Sequence, residues 1–147
     1  MLTGGNIDSW VLEKLLRQCW FFWSSRNSKP YGSMQYAFRG HIVVLINEHT
    51  ASDGEAFAEG ARRLGLATII GTRTWGGEIW LSAGDFALQD GGIASGGQSG
   101  VYSTDGKEWL IEGPGLSADP GHEVDNLPVA TFLGVRCKLT PHLQRSL

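Results

Sequence analysis

Cysteine is scarce in this chain of 147 residues: Cys19 and Cys137 are the only two. They are far apart and show no metal-ligand spacing, which argues against a disulfide framework or a zinc site. Such usage reads as free thiols in a cytoplasmic protein. No apolar run reaches the ~20 residues that a bilayer span requires. The opening Met1-Leu2-Thr3-Gly4-Gly5 lacks both a basic leader and an apolar leader core, so no signal peptide is expected. A basic excess is missing as well. Twelve Lys and Arg stand against 15 Asp and Glu, for a net charge of -3, and nothing suggests a nucleic-acid partner. Gly91, Gly92, Gly96 and Gly97 sit among turns and do not follow a strand as a phosphate-binding loop would. The length fits one domain with a real core.

What is present concentrates between Gly40 and Glu78. His41 to Ile46 (HIVVLI) is a continuous apolar run rich in β-branched residues, and it reads as a strand covered on both faces. A polar turn follows, and then Ala56, Phe57, Ala61 and Leu64 recur at helical spacing up to Gly65, a C′ glycine. Ala67 to Ile70 reads as a second strand, ending at Gly71, so the order is that of a βαβ-like unit. Ser52 falls where the turn becomes the helix. Free backbone N–H groups and the positive end of the helix dipole would face an oxyanion formed there. Ser52-Asp53-Gly54-Glu55 is also a capping box, with serine at N-cap and glutamate at N3. On spacing alone the cap is the commoner reading, and both roles can share one helix start.

The stretch HTASDGEAFAEGARRLGLATIIGTRTWGGEIW resembles family S41 of the serine peptidases, and within it the tricorn-type proteases. The resemblance runs from about Gly4 to about Phe132. It implies that Ser52 is the nucleophile and that the Asp53 N–H is one half of the oxyanion hole. The other half would come from Gly5, in a Gly4-Gly5 pair matching an upstream N-x-G-G motif. Gly4, Gly76 and Gly77 would line the path of the substrate. Glycine stands where the C-terminal processing branch carries a lysine in its TFGKG-like turn, which leaves the tricorn-type arrangement with a histidine base. Serine needs such a base because its protonated hydroxyl is a weak nucleophile. Glu112 matches the glutamate of the catalytic tetrad, although Gly115 to Pro120 departs from the segment that usually follows it.

The expected histidine would lie upstream of the Gly4-Gly5 motif, outside this chain. His49, three residues before Ser52, reads more readily as a solvated turn residue than as a base. His41, His122 and His142 offer less. Ile7, Val11, Leu12, Leu15, Leu16, Trp20 and Trp23 recur at helical spacing, with Asp8 or Ser9 as the cap. Trp10, Phe21 and Phe22 extend that apolar surface, as core or as a subunit interface. Residues 24–38 read as a loop, and Tyr31, Met34 and Tyr36 either pack it or line a cleft. Arg73 reads as a surface arginine or a carboxylate anchor. Short strands are expected over 79–81, 86–88, 100–102 and 108–111.

Together these readings give an α/β domain with a ClpP/crotonase-like core, a twisted sheet flanked by helices, and a strand-rich C-terminal part. Residues 1–132 would form the C-terminal portion of a tail-specific, tricorn-like protease domain. Residues 133–147, with Pro141 and no acidic residue, would form a divergent, poorly ordered tail. The function implied is peptide-bond hydrolysis through an acyl-enzyme on Ser52. The alternative is an inactive fragment that serves only in folding or oligomerisation. Acyl-CoA chemistry is conceivable from the fold, but a serine at the helix start argues against it. No cofactor, metal, nucleic acid or membrane enters the reading; the partners are a peptide or unfolded polypeptide and further copies of the chain.

Overall fold

The computed structural model describes residues 5–34, 36–82 and 86–125. Its centre is a parallel pair of strands, β3 (Val43–Ile46) and β4 (Thr68–Gly71), joined by helix α2 (Asp53–Arg63). This is the βαβ order expected from the sequence. The register pairs Val43 with Thr68 and Ile46 with Gly71. Gly71 has φ of +134°, and a Cβ there would lie 1.9 Å from the Ile46 carbonyl oxygen, so only glycine can close this ladder. Helix α2 ends as a Schellman motif. Leu66 N–H donates to the Ala61 carbonyl at 2.8 Å and Gly65 N–H to the Arg62 carbonyl at 2.9 Å, with Gly65 at φ +67°.

The core forms where α2 lies on the two strands. Val44, Ile46, Ala58, Ala61, Ile69 and Leu116 are buried there, together with Leu12 from helix α1 (Asp8–Leu15). Ala58 and Ala61 have no exposed surface, and small side chains at these points let the strands and α1 approach the helix. Gly60 serves α1 in the same way: a Cβ there would lie 2.6 Å from Leu12 Cδ1.

Several expectations change. Strand β3 is covered on one face only. Val44 and Ile46 are buried, whereas Val43 and Leu45 are 49 % and 74 % exposed. The first helix stops at Leu15 rather than continuing to Trp23. Phe22–Trp23 is instead strand β1, paired antiparallel with β2 (Tyr31–Gly32), because a hairpin partner outcompetes the helical spacing of the aromatics. Neither Asp8 nor Ser9 is the N-cap of α1; that position is Ile7, with no side-chain cap of its own. Tyr31, Met34 and Tyr36 are exposed and do not pack their loop.

After the GTRTWGG turn the chain forms short antiparallel pairs. Strand β5 (Trp80–Leu81) joins β8 (Gly97–Ser99), and β6 (Phe86–Ala87) joins β7 (Ile93–Ala94). The strands expected at 100–102 and 108–111 reduce to one bridge between Tyr102 and Trp109, whose rings meet edge to face. Gly4, the segment 126–132 and the tail 133–147 lie outside the described residues.

Candidate active site

Strand β3 delivers the chain to a polar turn, and α2 begins directly after Ser52. The turn is set by Asn47 and Thr50: Thr50 N–H donates to the Asn47 carbonyl at 2.8 Å, and Asn47 N–H to Thr50 Oγ1 at 3.1 Å. Ser52 then adopts φ +54°, ψ -131°, a conformation that a residue with a side chain rarely takes. Strain of this kind costs about 1–3 kcal/mol and persists only where the surroundings impose it. The capping box is in place: Glu55 N–H faces the Ser52 side chain, and Ser52 N–H donates to the Glu55 carboxylate at 3.1 Å. Glu55 N–H also donates to the Ser52 carbonyl at 2.7 Å. Beside Ser52, Asp53 opens α2, where a backbone N–H has no intrahelical acceptor.

The surroundings that impose the strain come from Glu55. Its side chain has no exposed surface. Its carboxylate accepts hydrogen bonds from Gly76 N–H at 2.8 Å, Gly77 N–H at 3.0 Å and Ser52 N–H at 3.1 Å, and from the Thr74 hydroxyl. The Ser52 N–H is shared with the Gly77 carbonyl at 3.1 Å. Thr74 Oγ1 in turn accepts from Leu116 N–H at 2.7 Å, and Trp75 N–H donates to the Thr50 carbonyl at 3.0 Å. The GTRTWGG turn is therefore bolted to the serine turn through one buried carboxylate. Gly76 fits because it has φ +93° and because a Cβ would lie 2.8 Å from the Gly113 carbonyl. The N–H groups of Gly76 and Gly77 are spent on Glu55, so what these two glycines can present outward is bare backbone.

Asp53 faces the other way. Its carboxylate accepts from Ile7 N–H at 3.2 Å and Asp8 N–H at 3.3 Å, and so caps α1 from 45 residues away. Gly5 lies next to it, since a Cβ on Gly5 would be 3.6 Å from Asp53 Oδ2. Glu112 closes the far side by accepting from Glu78 N–H at 2.7 Å and Ile79 N–H at 2.9 Å. Its position is set by Ile111, a buried β-branched residue held at φ +68°. Arg73 is an exposed surface arginine, as its sequence reading favoured, and not a carboxylate anchor. It donates to the carbonyls of Pro114 and Gly113 at 2.5 and 2.6 Å and ties the turn to the residues after Glu112.

The model of the S41 peptidase family matches residues 3–120. The chain belongs to peptidase family S41. It is 32 % identical over 125 residues to tricorn protease homolog 1 of Streptomyces coelicolor, a match covering 85 % of this chain and 11 % of that protein. It is 35 % identical over 81 residues to the tricorn protease of Thermoplasma acidophilum, covering 54 % of this chain and 7 % of that one. A crystal structure of the tricorn protease superposes with a TM-score of 0.80 at 25 % identity, covering 97 % of this chain and 14 % of the other. This S41 chain therefore spans about a tenth of the length of the curated relatives it matches.

Of the residues that the sequence marks as a site, the S41 fold brings together Ser52, Asp53, Gly5, Gly76, Gly77 and Glu112. The described histidines do not join them. His49 is exposed and lies 3.5 Å from Glu48 through Nε2, and the half-buried His122 approaches the Pro120 carbonyl at 3.1 Å through Nδ1. His41 is exposed at the strand entry, and His142 lies outside the described residues. Among the described residues there is no metal-binding cluster, and no helix is long and apolar enough to cross a membrane.

Two residues escaped the sequence reading. Glu55 was legible only as a cap partner, because its other donors come from 19 to 22 residues downstream. Glu78 is the second. Its Oε2 is buried with no hydrogen-bond partner among the described residues. Burial first, and then the charges of Glu55, Asp53, Asp8 and Glu112, raise its carboxyl to about 7. The signal was a carboxylate following two glycines in a turn whose neighbours are acidic.

Proposed function

We propose that this chain carries the nucleophile half of a serine-type peptidase site. Ser52 attacks a peptide carbonyl and forms an acyl-enzyme. The N–H groups of Asp53 and Gly5 receive the oxyanion, and Glu112 belongs to the network that steadies the base. The observation that supports this most is the strained Ser52, held at φ +54° where α2 begins. A helix that needed only a cap would not hold its serine there. The base is a histidine supplied from another segment or another subunit, and the working form is a cytoplasmic homo-oligomer acting on peptides or unfolded polypeptides. Exposed Trp20, Trp23 and Leu45 are the surfaces on which such association would draw.

Intact mass after exposure to a fluorophosphonate, with Ser52→Ala as control, tests this reading. One label per chain that disappears in the variant supports an activated Ser52. A folded chain that stays unlabelled, alone and mixed with a histidine-bearing half-domain, removes Ser52 from that role. The second reading is an inactive folding or oligomerisation module. The placement of His49 against Glu48, in solvent, favours it for the chain in isolation.

A further inference from the structure

Charge and exposed apolar surface divide much of the chain into two stretches of opposite sign. Residues 14–47 hold five Lys and Arg and no Asp or Glu, whereas residues 74–106 hold four Asp and Glu and no Lys or Arg. Of the twenty large apolar residues exposed among the described residues, ten fall in the first stretch and six in the second. Trp20, Trp23 and Tyr36 stand out in the basic stretch, and Trp75, Leu81 and Ile93 in the acidic one. A half-exposed aromatic side chain offers about 100 Å². The ten of the basic stretch therefore offer area of the order that a standard interface buries, about 800 Å² per partner. The charges are available as well. Among the described residues, Arg26 and Lys29, in the loop between β1 and β2, have no ion-pair partner. Arg39 lies over the exposed Phe22 ring, 4.5 Å from its centroid. On the acidic side, Asp90 tips the β6–β7 hairpin, where it accepts from Gly92 N–H at 3.0 Å and meets no cation. Asp105 pairs only with the exposed Lys107, at 3.7 Å. Each copy of the chain thus carries both members of a complementary pair.

We propose that copies of the chain associate head to tail, the basic aromatic hairpin of residues 20–39 in one copy seating on the acidic 74–106 meander of the next. Like surfaces meeting about a two-fold axis would set cation against cation, which costs affinity. Opposite stretches attract, and they fix the orientation that apolar area leaves open. A head-to-tail contact leaves one stretch free on each end copy, so association does not stop at two. The inference rests on the self-association in the proposed function and adds which surfaces meet. It needs neither an activated Ser52 nor a base from elsewhere.

Sedimentation velocity of the whole chain tests it. Raising sodium chloride from ~0.1 M to ~1 M shortens the screening length from about 10 to about 3 Å, and association is expected to weaken about tenfold. Arg26→Glu with Lys29→Glu, a basic stretch turned acidic at its tip, is expected to weaken it by a similar factor at the lower salt. Asp90→Lys with Asp105→Lys does the same from the other side. Mixed in equal amounts, the two variants associate again in alternation, because reversed hairpin meets reversed meander. Circular dichroism checks that each variant is folded; if the aspartate variant is not, the hairpin variant and the salt series decide. Association that ignores both salt and the hairpin reversal overturns the assignment of surfaces and leaves self-association standing. So does a mixture of folded variants that fails to recover. A wild-type chain that stays monomeric overturns the inference together with the self-association beneath it. If that monomer instead sediments with phosphatidylserine vesicles, the basic hairpin belongs to a lipid surface. None of these outcomes depends on fluorophosphonate labelling, so the nucleophile reading stands or falls apart from this one.

Discussion

Residues 47–78 and residues 16–39 are both rich in turns, yet they are held in opposite ways. In the first, buried polar groups converge: Glu55, Thr74 and the N–H groups of Ser52, Gly76 and Gly77 satisfy one another inside the protein. In the second, large apolar groups meet mainly one another, Phe21 against Trp20 and Trp23, and stay in solvent. Trp20 is 75 % exposed and Tyr36 85 %, and a two-residue hairpin is the only ladder there among the described residues. An isolated pair of short strands has little stability of its own. The turns around Ser52 thus satisfy their polar groups within the chain, while the aromatic region has surface to cover. Polar networks make position exact because each partner is directional, and apolar surface makes affinity without choosing an orientation.

The sharpest way to break the comparison is Glu55→Ala. It strands the Gly76 and Gly77 N–H donors and a buried hydroxyl, and a loss of about 3–5 kcal/mol is expected in urea unfolding. If the loss stays below about 1 kcal/mol, the bolt between the two turns is not what holds the serine turn. Ser52→Gly should act in the opposite sense. Glycine relieves the positive φ, so the variant gains about 1–2 kcal/mol while losing any reaction with the fluorophosphonate. Ser52→Ala keeps the strain and should unfold near the wild-type midpoint, which separates conformation from the hydroxyl.

Glu78→Gln probes the cost of an unpartnered charge. The folded-state carboxyl sits at about 7 against an ordinary 4.5. Below 4.5 both folded and unfolded chains hold the proton and no penalty exists. As pH rises from there to about 7, the unfolded chain ionises first and the wild type is destabilised. The variant should gain on it across that window, by about 1 kcal/mol once solvent screening is allowed for. A pH-independent difference would remove the buried charge from the account. The smallest effect belongs to the aromatic region. Trp20→Ser and Leu45→Thr should change the stability of the isolated chain by less than about 0.5 kcal/mol. They should nonetheless weaken self-association in sedimentation velocity, and unchanged association would take those residues out of the interface.

Local signals were readable in the sequence and distant ones were not. The helix from Asp53 to Arg63, its glycine stop and the parallel strands around it follow from spacing and from Gly65 and Gly71. Ser52 stood out because it falls at a helix start. The reach of Asp53 to the N-terminus of α1 spans 45 residues, and no local pattern announces it. The inward turn of Glu55 was hidden by its fit to a capping box, a motif that explains the residue well enough to stop the search. The aromatics between Trp20 and Trp23 kept a helical period that the hairpin partner Tyr31–Gly32 overrode. Strand β3 looked covered on both faces because its composition is apolar throughout, and composition cannot say which layer is present.

The contact of Gly60 with Leu12 has a reach beyond the core. Leu12 fills the space where a side chain on Gly60 would stand. The same short helix, α1, begins at the residues that Asp53 clasps, just after Gly5. The distance between α1 and α2 is thus gauged by a missing methyl group, and the loop bearing Gly5 rides on that gauge. Evolution could retune the hole beside Ser52 by adding one carbon at residue 60, two turns along the helix from the serine, without altering a single group that touches a substrate.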